Sequence, residues 1–135
     1  MAVGSVNEMA DEAKSEIDNL SPEEARRRVE TNGALIVDIR DVRELQREGV
    51  IPGSTHTPRG MLEFWVSPDS PYTKEIFQED RECMLCCAGG LRSALSTKLL
   101  QDMGVPKVSH VESGFGGWQS DGMPVETYDE WKSKR

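Results

Sequence analysis

Cys83-Met84-Leu85-Cys86-Cys87-Ala88-Gly89-Gly90-Leu91-Arg92-Ser93-Ala94-Leu95 is the stretch that decides the fold. Cys83 to Cys86 is a short run apolar on both faces, as a strand inside a parallel sheet must be. The run stops at Cys87, and Ala88, Gly89 and Gly90 have small side chains or none. A helix is then predicted from Arg92 to Met103, because Leu91, Leu95, Leu99 and Met103 recur every four residues and Gly104 supplies a stop. Val108-Ser109-His110-Val111 is again strand-like. Strand, loop, helix, glycine and strand make a βαβ unit with a right-handed connection.

Upstream, Ala34-Leu35-Ile36-Val37-Asp38 predicts a second buried strand of the same kind. Ser21-Pro22-Glu23-Glu24 before it combines an N-cap serine, a first-turn proline and a glutamate three residues past the cap. The helix it opens should run to about Thr31 and stop at Asn32-Gly33. Residues 1–19 are polar and acidic, with Ala10, Ala13 and Ile17 at helical spacing, and are expected to form a tail or weak helix ahead of one domain over residues 20–135. Ile51 to Pro71 should be mostly loop, with a helical turn at Met61 to Val66, and Glu126 to Arg135 a closing helix or tail. At 135 residues the chain suits a single core.

The net charge of −8 argues against a nucleic-acid partner, since that binding rests on cationic side chains meeting phosphates. No apolar run is long enough to span a bilayer, so no membrane partner is expected. The first residues lack a basic segment followed by an apolar one, so a cytoplasmic location is the default expectation. Three cysteines crowded at positions 83, 86 and 87 cannot build a disulfide framework, which points to a reducing compartment. From Cys83 to Gln101 no carboxylate occurs, while Arg92 and Lys98 are both present.

Cys87 stands where the βαβ unit should bind ligands, beyond the carboxyl end of a strand. Small residues after it let backbone amides turn inward. With a helix N-terminus below and the Arg92 guanidinium beside it, the sulfur is expected to be held as a thiolate. Only His56 and His110 could serve as a histidine base, and nothing in the sequence places either near Cys87. Cys83-x-x-Cys86 could be half of a zinc site or a redox pair, but no second pair exists. Residues three apart on a strand face opposite sides, so buried structural thiols are expected, and no metal. Gly114, Gly116 and Gly117 suit tight packing before a helix at Trp118 better than a phosphate cradle, with Phe115 and Trp118 in the core.

Cys87, Gly90, Arg92 and Ser93 form a Cys-x-x-Gly-x-Arg-Ser loop that resembles the active-site loop of the rhodanese family of sulfurtransferases. Val37-Asp38-Ile39-Arg40, Glu44 and Gly49-Val50-Ile51-Pro52-Gly53-Ser54 look like that family's N-terminal signature. Ser113-Gly114-Phe115-Gly116-Gly117-Trp118 and Gly122-Met123-Pro124-Val125 look like its C-terminal one, so the resemblance covers Leu20 to Val125. The family often has His where Val50 stands, and Gly60 to Ser70 looks like an insertion.

The resemblance implies an α/β, rhodanese-like fold, with a central, mostly parallel sheet of about five strands flanked by helices. It implies a thiosulfate:cyanide-type sulfurtransferase without cofactor, in which Cys87 carries a persulfide held by Ala88, Gly89, Gly90, Leu91, Arg92 and Ser93. Asp38, with Arg40, would support the loop from the neighbouring strand, and Arg59 and Trp65 are candidates for the rim. The partners implied are a small anionic sulfur donor, a thiol or cyanide acceptor, and a protein relaying sulfur. Related phosphatases have one more residue than the four here between Cys and Arg, and inactive docking members usually lack the cysteine.

Overall fold

The apolar run at Cys83 becomes the middle of a sheet. In the computed structural model, which describes residues 2–135, five strands are present: β1 (Asn19–Leu20), β2 (Leu35–Asp38), β3 (Thr55–His56), β4 (Cys83–Cys86) and β5 (Val108–Val111). They are all parallel, in the order β1-β5-β4-β2-β3. The helices are α1 (Val6–Lys14), α2 (Pro22–Asn32), α3 (Val42–Glu48), α4 (Leu62–Val66), α5 (Leu91–Asp102), α6 (Gly114–Ser120) and α7 (Tyr128–Ser133). The expected α/β fold is therefore the observed one.

Both faces of the sheet are covered, which explains the unbroken apolar runs. Ile36, Met84 and Cys86 point into one cluster with Phe115 and Trp118 of α6. Leu35, Val37, Cys83 and Leu85 point into the other, with Leu62 and Val66 of α4 and Leu100 of α5. Cys83 and Cys86 thus lie on opposite sides of β4, as the strand period requires. All three cysteines are free.

Local signals place the helix ends. Ser21 accepts from the Glu24 N–H, and α2 ends at Gly33 in the left-handed region, φ 68°. Asp41 and Glu44 form a reciprocal capping box on α3. The C-terminal stretch closes as α7, whose buried Trp131 donates its indole N–H to the Ser54 carbonyl at 2.9 Å. The segment after Ile51 holds the expected turn at Met61 to Val66 within a 3₁₀ turn and α4, plus strand β3, which is too short for any periodic signal.

Three expectations are sharpened or changed. Of the expected tail or weak helix, residues 6–14 form a capped helix, with Ala10 and Ala13 buried. These alanines pack with Ala94 and Leu95 of α5, so α5 is covered on its outer side. That explains the second change. Leu91 and Met103 are each 44% exposed, whereas Ser93, Ala94, Ser96, Thr97 and Leu100 are buried. A helix between a sheet and another helix needs small residues for close approach, and this outweighs the leucine spacing. Thirdly, Gly114, Gly116 and Gly117 lie within α6 itself rather than ahead of it.

Ala94→Leu should therefore lower stability by about 1–3 kcal/mol through overpacking, despite adding an apolar side chain to a helix. Met103→Ala should change it by less than about 0.5 kcal/mol. Urea unfolding of the two variants checks both.

Candidate active site

Cys87 follows the last residue of β4, and the residue is 1% exposed. The Gly90 N–H points at its sulfur at 3.1 Å and the Ser93 N–H at 3.4 Å. α5 begins at Leu91, so these amides belong to the loop and first turn of a twelve-residue helix. An anion here meets aligned N–H dipoles.

The loop holds this shape because its carbonyls have partners elsewhere. The Phe115 N–H donates to the Cys87 carbonyl at 2.8 Å and the Gly116 N–H to the Ala88 carbonyl at 3.0 Å. Those donors come from the first turn of α6, where backbone N–H groups lack partners within the helix. Gly90 adopts φ 104°, and a Cβ there would lie 2.1 Å from the Glu112 carbonyl oxygen. Only glycine meets both conditions.

Arg92 does not hydrogen-bond to Cys87. Its guanidinium grips Glu44 through two bonds, 2.9 and 3.0 Å. This pairing holds the Glu44 carboxyl down at about 2, chiefly through the hydrogen bond from Arg92. The carboxylate-free stretch seen in the sequence is thus matched by a carboxylate from α3, which sequence distance concealed.

Asp38 and Arg40 are fully buried. Asp38 accepts from the Arg40 backbone N–H at 3.1 Å and from its guanidinium at 2.7 to 3.2 Å. Its carboxylate is engaged by Arg40, so it does not tie the loop down directly. Arg40 donates to the Gly49 carbonyl and stacks 4.1 Å from the Phe115 ring centroid. Since Phe115 holds the Cys87 carbonyl, the support runs through Arg40 and α6.

Neither rim candidate is hydrogen-bonded to the loop. Arg59 pairs with Glu63 at 2.7 Å. Trp65 lies under the Lys74 ammonium, 4.8 Å from its ring centroid, and lines a cavity of about 420 Å³ with Thr57, Pro58 and Ile76. Burial pushes the Cys83 thiol up to about 11 and the Cys86 thiol well above its ordinary value, as inert structural thiols require.

Asn19 and His110, neither of which the sequence places near Cys87, join the site. The Ser93 hydroxyl lies 3.5 Å from the Cys87 sulfur and 2.8 Å from Nδ1 of His110, whose Nε2 lies 2.7 Å from Asn19 Oδ1. Only strand pairing brings β1 and β5 together here, and no local signal marks it.

Among the described residues no helix is long and apolar enough to cross a membrane, and no cluster of three or more His, Cys, Asp or Glu could hold a metal. A parallel sheet covered on both faces, with a cysteine in an amide-lined loop at a strand end, defines an α/β protein built around one thiol. The chain belongs to the rhodanese-like domain family, which matches residues 21–121.

Among its relatives is the thiosulfate sulfurtransferase GlpE of Actinobacillus pleuropneumoniae, 28% identical over 108 residues, covering 80% of this chain and 92% of that one. A solved structure from Rhodopseudomonas palustris, described as a protein of unknown function and possible tyrosine phosphatase, is 49% identical. It covers 93% of this chain and 97% of that one with a TM-score of 0.87. The polysulfide-sulfur transferase homodimer of Wolinella succinogenes is 26% identical with a TM-score of 0.69, covering 88% of this chain and 85% of that one.

Two groups near the site add to the pH dependence of stability. Burial, the largest cause, pushes His110 down from 6.5 to about 4, so on acidification the unfolded chain binds this proton first. Stability is then lost from about pH 6.5 down to about 4, by roughly 3 kcal/mol in all. Glu44 adds a loss in the same direction between about 4.5 and 2. Urea midpoints should fall from pH 7 to 4, and His110→Asn should flatten that slope.

Proposed function

We propose that this chain is a sulfurtransferase that moves sulfane sulfur from a small anionic donor such as thiosulfate to cyanide or a thiol through a persulfide on Cys87. The observation that carries this is the pair of backbone N–H groups aimed at the Cys87 sulfur, 3.1 and 3.4 Å away. The family's named sulfurtransferases support the activity at the coarser level.

In the first half-reaction the Cys87 thiolate attacks the outer sulfur of thiosulfate. The donor's S–S bond breaks and its electron pair leaves on sulfite, so Cys87 becomes a persulfide. In the second, cyanide attacks the outer persulfide sulfur. That S–S bond breaks, its pair returns to Cys87, and thiocyanate departs. Loop amides from Ala88 to Ser93 hold the negative charge at each stage, as an oxyanion hole does. Arg92, whose side chain is 41% exposed beside Glu44, helps draw in the anionic donor. Arg59 and Trp65 stay candidates for the rim. A protein sulfur acceptor fits the same chemistry, and three free thiols suit a reducing, cytoplasmic setting.

Phosphatase chemistry is the second reading, given the description of the Rhodopseudomonas palustris structure. Two features weigh against it. Cys87 is nearly buried, and both Arg92 bonds go to Glu44 instead of facing a phosphoryl group.

Incubation with thiosulfate should add about 32 Da to Cys87, the mass of one sulfur atom. Cyanide should then release thiocyanate and restore the original mass. Cys87→Ser should abolish both, and an aryl phosphate should not be hydrolysed. Phosphatase turnover with no adduct on Cys87 would reverse the assignment.

A further inference from the structure

One buried titratable side chain takes no part in the chemistry above. His110 is fully buried in β5, between Asn19 of β1 and Ser93 of α5.

Asn19 sets the direction of each hydrogen bond in this row. Its Nδ2 donates to the Lys14 carbonyl at 2.9 Å and to the Ile17 carbonyl at 3.3 Å. The atom facing His110 Nε2 at 2.7 Å is therefore the acceptor Oδ1, and Nε2 must carry a hydrogen. A neutral imidazole has one N–H, which leaves Nδ1 bare. The Ser93 hydroxyl, 2.8 Å away, donates to it. The Gly90 carbonyl, at 3.4 Å, is a poorer acceptor for the same hydrogen. A serine has only one hydroxyl hydrogen. Ser93 Oγ then meets the Cys87 sulfur at 3.5 Å with lone pairs alone.

We infer that His110, locked by Asn19 in the Nε2–H tautomer, is a positioning residue that takes the Ser93 hydroxyl hydrogen, so that the Cys87 thiolate is held by backbone amides only. This rests on Cys87 being the reactive sulfur. Burial keeps His110 neutral; Lys14 of α1 works in the same direction and Asp18, just before β1, against it. The charged and titratable groups that reach this site are Arg92 of α5 with its partner Glu44 of α3, Asp38 of β2 with Arg40, Cys86 of β4 and His110 of β5.

The arrangement has a chemical consequence. Ser93 can accept the S–H of the resting thiol but cannot stabilise the thiolate. A thiolate with fewer donors is the stronger nucleophile toward sulfur, because nucleophilicity falls as the anion is stabilised.

The test has two readouts, both on the resting protein without a sulfur donor. Nitrogen-15 NMR of the imidazole at neutral pH should show Nε2 protonated and Nδ1 bare. The second is the thiolate absorbance near 240 nm, with Cys87→Ala as the blank that removes any signal from Cys83 and Cys86, whose thiols burial pushes up.

Ser93→Ala should not raise the midpoint of the Cys87 signal. His110→Phe should lower that midpoint by about one pH unit, as the freed hydroxyl turns to the sulfur. Ser93→Ala added to His110→Phe should cancel the drop. Should His110→Phe fail to fold, Asn19→Asp takes its place. The new carboxylate favours imidazolium, whose Nδ1–H donates to Ser93 and drives the midpoint down likewise.

An Nδ1–H or doubly protonated His110 in the parent protein overturns the inference. So does a raised midpoint in Ser93→Ala, or an unmoved one in His110→Phe or Asn19→Asp. Because no donor is present, loss of this tautomer lock and loss of sulfur transfer are separately visible.

Discussion

Two hydrogen bonds from the first turn of α6 set the polarity of the loop that follows β4. A helix N-terminus carries N–H groups with no partner of their own, and here the Cys87 and Ala88 carbonyls accept from Phe115 and Gly116. With those carbonyls drawn toward α6, the loop can turn the Gly90 and Ser93 amides to the sulfur. The contact is close enough that a Cβ on Gly114 would lie 2.5 Å from the Ala88 oxygen. The glycines at 90 and 114 thus answer one constraint: the loops leaving β4 and β5 touch each other, and only bare backbone fits between them.

Charge is organised around this contact. The buried Asp38–Arg40 pair is held by several hydrogen bonds, without which burying two ions would be costly, while Nη1 of Arg40 has no hydrogen-bond partner and faces the Glu48 carboxylate at 3.7 Å. Arg40 then stacks on Phe115, joining the pair to the residue that grips Cys87. Glu44 serves twice, closing the capping box of α3 and clamping Arg92 across the chain. An ion pair that is partly buried on one side fixes where the guanidinium stands.

Much of the fold was legible because it depends on local rules. Apolar runs flanked by turn residues marked β2, β4 and β5, and Ser21-Pro22 and Gly33 marked the ends of α2. The strand period alone separated Cys83 from Cys86. What escaped were β1 and β3, two residues each, and the buried face of α5. Leucine spacing suggested that face, yet α1 covers the helix from outside, so small residues are buried and Leu91 is left exposed.

Cys87 and its loop could be found from sequence because a cysteine, glycines and a helix start are neighbours in the chain. The sequence by itself determined the parallel α/β framework and which sulfur stands at a strand end. Tertiary structure decided how that sulfur is surrounded. It turned Arg92 toward Glu44 and Asp38 toward Arg40, and it set Asn19, His110 and Ser93 in one row. The physical reason is that hydrogen bonds and ion pairs act over about 3 Å of space, whatever the number of residues between the partners. Asn19 and His110 lie 91 positions apart in the chain and 2.7 Å apart in the fold.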